Sequence, residues 1–318
     1  MLTRRRNRPE SDPWAERPGF LQRMGLGVSL SLGTGLAAVG FTGFLAFSAL
    51  LPSAQPAWGE PIGPDATQVL SAESVSSSET TTAAIEDPLG QNPLYANGEL
   101  GEVTCRPPQM DADDPKSVET FVHSIADCLD SAWGAYFEEA GIPFSSPNRV
   151  YWYAAGNSPC GPFPKEGTAA FYCQANQGLY LGVEDIVAAS AGSDEAEAYT
   201  FLLSHEYGHH VQGQSMILAE FRSLRANADE ETADELTRRN ELQANCLGGV
   251  FVGSAEESLG YGKSERANIL DSVGLRSDHA GTSTHGSVEN GRLWTAHGLD
   301  RLDPAACNTW EAREELVR

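Results

Sequence analysis

The sequence predicts an α+β fold for residues 95–312, mostly helical with one small sheet packed on the helices. Two observations within this region support the prediction. Long segments carry apolar residues at helical spacing, and three short aromatic segments are bounded by Gly, Pro and Asn, as strands are. A third observation separates the region from the N-terminus: an uncharged run and a Ser- and Thr-rich segment precede it.

The uncharged run, residues 25–51, predicts a single transmembrane helix, because about 20 apolar residues suffice to cross a bilayer. Residues 1–24 are rich in arginine, which orients them towards the cytoplasm and places the rest of the chain outside. A cleaved signal peptide is the alternative, but the run is longer than the apolar part of a usual signal peptide. We therefore expect a single-pass protein of the cell membrane whose folded domain is extracytoplasmic.

Residues 52–94 are rich in Pro, Ser, Thr and Glu and lack apolar periodicity, so we predict a disordered linker. The whole chain has a formal net charge of −23. Recognition of nucleic acid phosphates requires clustered Lys and Arg, and this charge excludes a nucleic-acid-binding protein.

The first predicted helix follows Asp114, a suitable N-terminal cap, and begins at Pro115. Further helical patterns occupy residues 194–217, 229–258 and about 287–301, and the predicted strands are residues 149–156, 167–173 and 177–182. One face of the first helix should be buried, because apolar residues recur along it at helical spacing: Val118, Phe121, Val122, Ile125, Leu129, Trp133 and Phe137.

All six cysteines lie beyond the predicted membrane span, which fits an oxidising compartment and suggests three disulfides, although the count alone leaves the connectivity open. Cys160–Cys173 would bracket a turn-rich loop between two strands. Cys105–Cys128 would tie the chain to the first helix, and Cys246–Cys307 is the pair that remains.

The segment FLLSHEYGHHVQG (201–213) carries two histidines four residues apart with a glutamate directly after the first. On a helix, His205 and His209 project from one face and can bind one Zn²⁺, while Glu206 can act as general base towards a zinc-bound water. Residues 198–211 carry no charge besides Glu206 and the histidines. Burying such groups without a purpose is costly, so the context strengthens the prediction of a zinc site.

A zinc site of this kind requires a third protein ligand, and two glutamates compete for the role. Glu230 lies in a strongly charged segment typical of a solvated helical face. Glu241 opens ELQANCLGGVFVG, an apolar and glycine-rich segment that must be buried, where a lone carboxylate needs a metal or a partner. We therefore predict Glu241 as the third ligand.

Four segments, SHEYGHHVQ (204–212), ELQANCLGG (241–249), THGSVENGRLW (284–294) and FYCQANQGLYLG (171–182), resemble the bacterial neutral zinc metallopeptidase family. Members of that family are commonly membrane-anchored. The resemblance implies a zincin-like fold with His205, His209 and Glu241 as ligands and Glu206 as the catalytic base.

The sequence departs from the family at Asn245, where an Asp is usual. An Asp would hold a ligand histidine in the required tautomer and raise its basicity, whereas Asn can accept the same hydrogen bond without the charge. His285 is the best remaining candidate to stabilise a tetrahedral oxyanion, with an exposed loop histidine as the alternative interpretation.

These residues predict a membrane-anchored, extracytoplasmic zinc endopeptidase that hydrolyses peptide or protein substrates, with an edge strand within residues 167–174 holding the extended peptide. Asn245 keeps a second hypothesis open, a catalytically weak or inert zincin domain that binds a cell-surface protein. A third, an anchored metal-binding domain, would not require Glu206.

Overall fold

A computed structural model describes residues 87–164, 168–190, 194–278 and 283–318 of the chain. The predicted basic segment 1–24 and membrane anchor 25–51 lie outside the described residues, as do residues 52–86 of the predicted linker. None of the helices in the described ranges is both long and apolar enough to cross a membrane.

The described part of the chain forms seven α-helices and five short strands, which confirms the prediction of a mostly helical α+β fold with a small sheet. The helices are α1 Pro115–Glu139, α2 Val183–Ala189, α3 Ala196–Gln214, α4 Ile217–Ala226, α5 Glu230–Leu259, α6 Lys263–Arg276 and α7 Val288–Arg301. The strands are β1 Asn148–Trp152, β2 Gly156–Ser158, β3 Gly161–Phe163, β4 Ala170–Cys173 and β5 Gly178–Gly182.

The main sheet has three strands in the order β1-β5-β4. Strand β5 lies in the centre and is fully buried, with β1 parallel to it and β4 antiparallel to it. Strand β4 is consequently an edge strand, and it packs on α3. Strands β2 and β3 form a separate antiparallel hairpin.

Helix α1 begins where the sequence predicts, because Asp114 caps it by accepting a hydrogen bond from the Lys116 N–H at 3.0 Å. The predicted apolar residues of this helix are all buried, and α1 packs on α3. The capping residue and the apolar periodicity are therefore sufficient to predict α1 from the sequence.

Three helices and the hairpin were not predicted. The predicted helix 194–217 ends early, because Met216 adopts the left-handed conformation (φ 68°) and α4 starts after it. Helix α6 buries little apolar surface, namely Ile269, Val273 and the backbone of Gly274, so its periodicity is weak in the sequence. It nevertheless packs on both α3 and α7.

The packed region is wider than the predicted domain 95–312. Leu89 and Leu94, assigned above to the linker, are buried, and the Tyr136 hydroxyl donates to the Leu94 carbonyl at 2.7 Å. At the other end Val317 is buried, and Trp294 Nε1 donates to the Leu316 carbonyl at 2.8 Å. A few apolar side chains pack these otherwise polar ends of the region onto the domain. The polar composition of the ends does not predict this packing.

Helices α3 and α5 cross in direct backbone contact at two glycines. A methyl group on Gly208 would lie 2.9 Å from the Ala244 carbonyl oxygen, and one on Gly248 would lie 3.1 Å from the backbone nitrogen of His205. Larger residues at these positions would force the helices apart. The close crossing brings the histidine-bearing segment of α3 against the middle of α5.

The structure contains the three disulfides expected from the cysteine positions: Cys105–Cys128, Cys160–Cys173 and Cys246–Cys307. The third joins α5 to a 3₁₀ turn near the C-terminus, Pro304–Cys307, and closes a sequence separation of 61 residues. The second closes only 13 residues.

Removing the Cys246–Cys307 disulfide by substituting both residues with Ala should lower the free energy of unfolding by about 4 kcal/mol. Its long loop restricts the unfolded chain more than the Cys160–Cys173 loop, whose removal should cost about 3 kcal/mol. Urea unfolding of the two double variants measures the difference. A larger loss for the Cys160–Cys173 variant would contradict this ranking.

Candidate metal centre

Three side chains from two helices converge on one point. His205 and His209 lie one turn apart on α3, and each presents Nε2 at 3.4 Å from Oε2 of Glu241 on α5. The donor atoms of these residues all lie within 4.8 Å of one another. Within the described ranges this is the one group of at least three His, Cys, Asp or Glu side chains close enough to hold a metal ion.

The distances fit a tetrahedral zinc ion. Zinc binds imidazole nitrogen and carboxylate oxygen at about 2.0–2.1 Å, which places neighbouring ligand atoms about 3.3 Å apart. The observed separation of 3.4 Å agrees with this value. It exceeds the usual N···O distance of a hydrogen bond, so the arrangement suits a shared metal better than a simple ion pair.

Each imidazole is held from behind by an amide oxygen. Nδ1 of His205 donates to Oδ1 of Asn245 at 2.9 Å, and Nδ1 of His209 donates to Oε1 of Gln212 at 2.8 Å. Because an amide oxygen only accepts, both Nδ1 atoms carry protons and both Nε2 atoms face Glu241 as prospective ligands. The hydrogen bond to Asn245 is the one that its position in the sequence suggested.

Gln212 was not predicted as part of the site. Its amide nitrogen donates to the Asn240 carbonyl at 2.8 Å and to Oε1 of Gln243 at 2.9 Å, which fixes the orientation of the amide that supports His209. The available signal was its spacing, because a residue three positions after a helical ligand lies on the same face.

His209 and Glu241 shift each other's pKa. Burial alone would lower the pKa of His209, but the negative charge of Glu241 at 3.4 Å raises it above its ordinary value. Burial would raise the pKa of Glu241, yet the two histidines lower it well below its ordinary value. At neutral pH the pair is therefore ionic, and a metal that binds here must displace the proton on His209 Nε2.

Glu206 follows His205 on α3 and is 8% exposed. It lines a cleft of 570 Å³ together with His205 and Asn245. Two further parts of the chain line this cleft. The start of β4 and the residues before it contribute Thr168, Ala169 and Ala170, and the end of α6 and the loop after it contribute Val273, Leu275, Arg276, Ser277 and His285.

His285 lies at the rim of the same cleft as Glu206, with 53% of its side chain exposed. The Asp278 carboxylate holds its loop by accepting from the His285 and Gly286 N–H groups at 2.9 and 2.7 Å. The rejected ligand candidate, Glu230, is exposed in the first turn of α5, about 16 Å along the helix from Glu241.

His210 lies on the opposite side of α3 and is fully buried. Its Nε2 donates to the Ser145 carbonyl at 2.8 Å, and its Nδ1 is 3.2 Å from the Tyr172 hydroxyl on β4. Burial lowers its pKa to about 4, so it is neutral and accepts from the tyrosine. This histidine links the metal-site helix to the edge strand.

The hydrogen bond between Asn245 and His205 leads to a quantitative prediction. Asn245→Leu should weaken zinc binding by about 10- to 100-fold, because His205 loses the acceptor that orients it. Asn245→Asp restores a charged acceptor and should strengthen binding by up to about 10-fold. Competition against a chelating dye measures both changes.

Asn227→Asp serves as the matched control, because it adds the same charge at an exposed position after α4. It should leave zinc affinity unchanged. An Asn245→Leu variant with wild-type affinity would show that this hydrogen bond does not support the metal site.

Comparison with known proteins identifies a family whose description agrees with a zinc site. The family described as "Putative neutral zinc metallopeptidase" matches residues 102–310. The uncharacterized protein YpfJ of Escherichia coli (strain K12) is 30% identical over 203 residues, covering 60% of this chain and 70% of the relative.

A second relative, the uncharacterized protein Rv2575 of Mycobacterium tuberculosis (strain ATCC 25618 / H37Rv), is 27% identical over 229 residues, covering 64% of this chain and 74% of the relative. No solved structure matches the chain. The family match spans most of the folded region and includes both helices of the metal centre, so the chain belongs to the neutral zinc metallopeptidase family.

Proposed function

We propose that this protein is a zinc-dependent endopeptidase of zincin-like architecture. The observation that carries the proposal is the group of three donor atoms from His205, His209 and Glu241, with Glu206 beside it in an open cleft. The cleft runs past an edge strand, which is where an extended peptide can bind.

The peptide would lie along β4. One side of this strand pairs with β5, and no described strand pairs with its other side. An extended segment of substrate can add there as a further strand, with backbone hydrogen bonds fixing its register. Ala169 and Ala170 line this part of the cleft, and their small side chains leave room for the side chains of the substrate.

The chemistry divides between the ligands and Glu206. Zinc bound by His205, His209 and Glu241 would supply Lewis acidity, polarising the scissile carbonyl and lowering the pKa of a water molecule. Glu206 takes the proton of the attacking water and passes it to the leaving amine. His285, at the rim of the cleft, donates a hydrogen bond to the oxyanion as negative charge develops on the carbonyl oxygen.

The test is hydrolysis of a quenched fluorescent peptide library by the full-length, zinc-loaded protein. Internal peptide bonds should be cleaved, chelation should abolish cleavage, and added zinc should restore it. Cleavage that persists after complete removal of metal would contradict the proposal, and so would the absence of cleavage from every peptide.

Asn245 favours one alternative, an inert zincin domain that binds a cell-surface protein, because an amide replaces the usual carboxylate behind His205. This alternative requires zinc at full stoichiometry without cleavage of any peptide. It also requires that Glu206→Gln does not impair binding to the cell surface.

We further propose that residues 25–51 anchor the protein in the cell membrane with residues 52–318 outside. The uncharged run and the arginines before it support the anchor, and the three disulfides support an oxidising compartment. The protein should resist carbonate extraction from membranes. Release of a soluble form starting near residues 54–58 would instead show a cleaved signal peptide.

A further inference from the structure

The last residue of α6, Arg276, lines the cleft that contains Glu206. Its Nη2 atom is buried and has no hydrogen-bond acceptor among the residues that the structure describes. Two other arginines that, like Arg276, are partly buried form ion pairs: Arg149 with Asp127 and Asp130, and Arg239 with Glu235. Arg276 forms no ion pair with any residue in the described ranges.

A charged guanidinium in this position needs a partner, and among the described residues Arg276 has only the nearby charge of Glu206, with no ion pair to it. Burial lowers the pKa of Arg276 to about 10, while the charge of Glu206 opposes this shift, so the side chain is still a cation at neutral pH. A charged group with a buried donor atom that lacks an acceptor is costly, and an anion brought by a ligand would remove that cost.

The surroundings of Arg276 indicate the kind of anion. Ala169, Leu202 and Val273 make much of the cleft apolar, and a guanidinium presents a planar fork of N–H donors that matches a carboxylate. The carboxylates of a peptide are its Asp and Glu side chains and its C-terminus. Either one would reach Arg276 while another part of the same peptide lies beside Glu206.

We propose that Arg276 binds a carboxylate group of the peptide substrate and so determines specificity in this cleft. The proposal rests on the peptidase function proposed above. Arg276 lies at the end of α6 and the segment entering β4 lines the same cleft, so Arg276 would supply a contact to the substrate besides the one made by the edge strand.

The test compares matched peptides with the full-length, zinc-loaded protein. One set exchanges Glu for Gln at each position around the cleaved bond, and a second set exchanges a free C-terminus for an amide. For wild type, one of these carboxylates should raise kcat/KM by at least about tenfold, as expected for a charge-assisted hydrogen bond in a buried site. The set that shows the preference identifies the source of the carboxylate.

Arg276→Gln should lower kcat/KM for the preferred peptide far more than for its neutral partner, bringing the ratio close to one. Arg276→Lys keeps the charge without the planar fork and should retain part of the preference. Arg292→Gln is the control. Arg292 lies on α7 and pairs with Asp271 outside the cleft, so its substitution should leave the ratio unchanged.

Two results would overturn the proposal: a wild type without preference for any carboxylate, or an equal loss on charged and neutral peptides in Arg276→Gln. If wild type cleaves no peptide, the peptidase function fails separately, and calorimetric binding of the same peptides decides the role of Arg276. Carboxylate-dependent binding that is lost in Arg276→Gln would support the proposal, and its absence would contradict it.

Discussion

Glu206→Gln should retain one zinc ion per chain and lose peptide hydrolysis by about 10²-fold or more. Glutamine preserves the size of the side chain and most of its hydrogen bonding, but it cannot accept the proton of an attacking water. Glu206 is not one of the three clustered donors, so the metal should not depend on it. Elemental analysis by mass spectrometry measures the zinc, and steady-state kinetics measures the loss in kcat.

Glu197→Gln is the matched control for this variant. Glu197 is a second buried glutamate on α3, but it accepts a hydrogen bond from Asn268 Nδ2 at 2.7 Å and does not line the cleft. Its substitution should leave kcat close to wild type. A Glu206→Gln variant as active as Glu197→Gln would remove Glu206 from the mechanism.

Glu241→Ala should lose its zinc and a substantial part of its stability. The two histidines would lack their third ligand, and metal binding contributes directly to the free energy of the folded state. Even without metal, removing one member of a largely buried ion pair costs about 3–5 kcal/mol, because the remaining charge is left uncompensated. Zinc stoichiometry and urea unfolding of metal-free and loaded protein separate the two effects.

Glu230→Ala distinguishes a ligand from a nearby acidic residue. Glu230 occupies the same helix as Glu241 but is exposed in its first turn. This variant should bind zinc as wild type does and unfold at nearly the same urea concentration. Loss of zinc from Glu230→Ala, with retention in Glu241→Ala, would reverse the assignment of the third ligand.

Elements with strong local signals could be predicted from the sequence. The cap at Asp114 and the apolar stripe after it predict α1, and the histidine spacing predicts the ligand pair on α3. The preference for Glu241 over Glu230 depended only on which segment would be buried. The structure places Glu241, and not Glu230, against the histidines.

Features that arise from packing between distant segments could not be predicted in this way. Helix α6 is polar over most of its length and is held by contacts with α3 and α7, so neither the helix nor the cleft position of Arg276 was visible in the sequence. The support of His209 by Gln212 likewise depends on Asn240 and Gln243 of α5, which fix the amide from another helix.

Anomalous diffraction from crystals of the zinc-loaded protein, collected on both sides of the zinc absorption edge, tests the central claim most directly. The account predicts a single strong peak within about 2.0–2.2 Å of Nε2 of His205, Nε2 of His209 and a carboxylate oxygen of Glu241. A peak bound by other residues, or no peak at these three side chains in fully loaded protein, would contradict it.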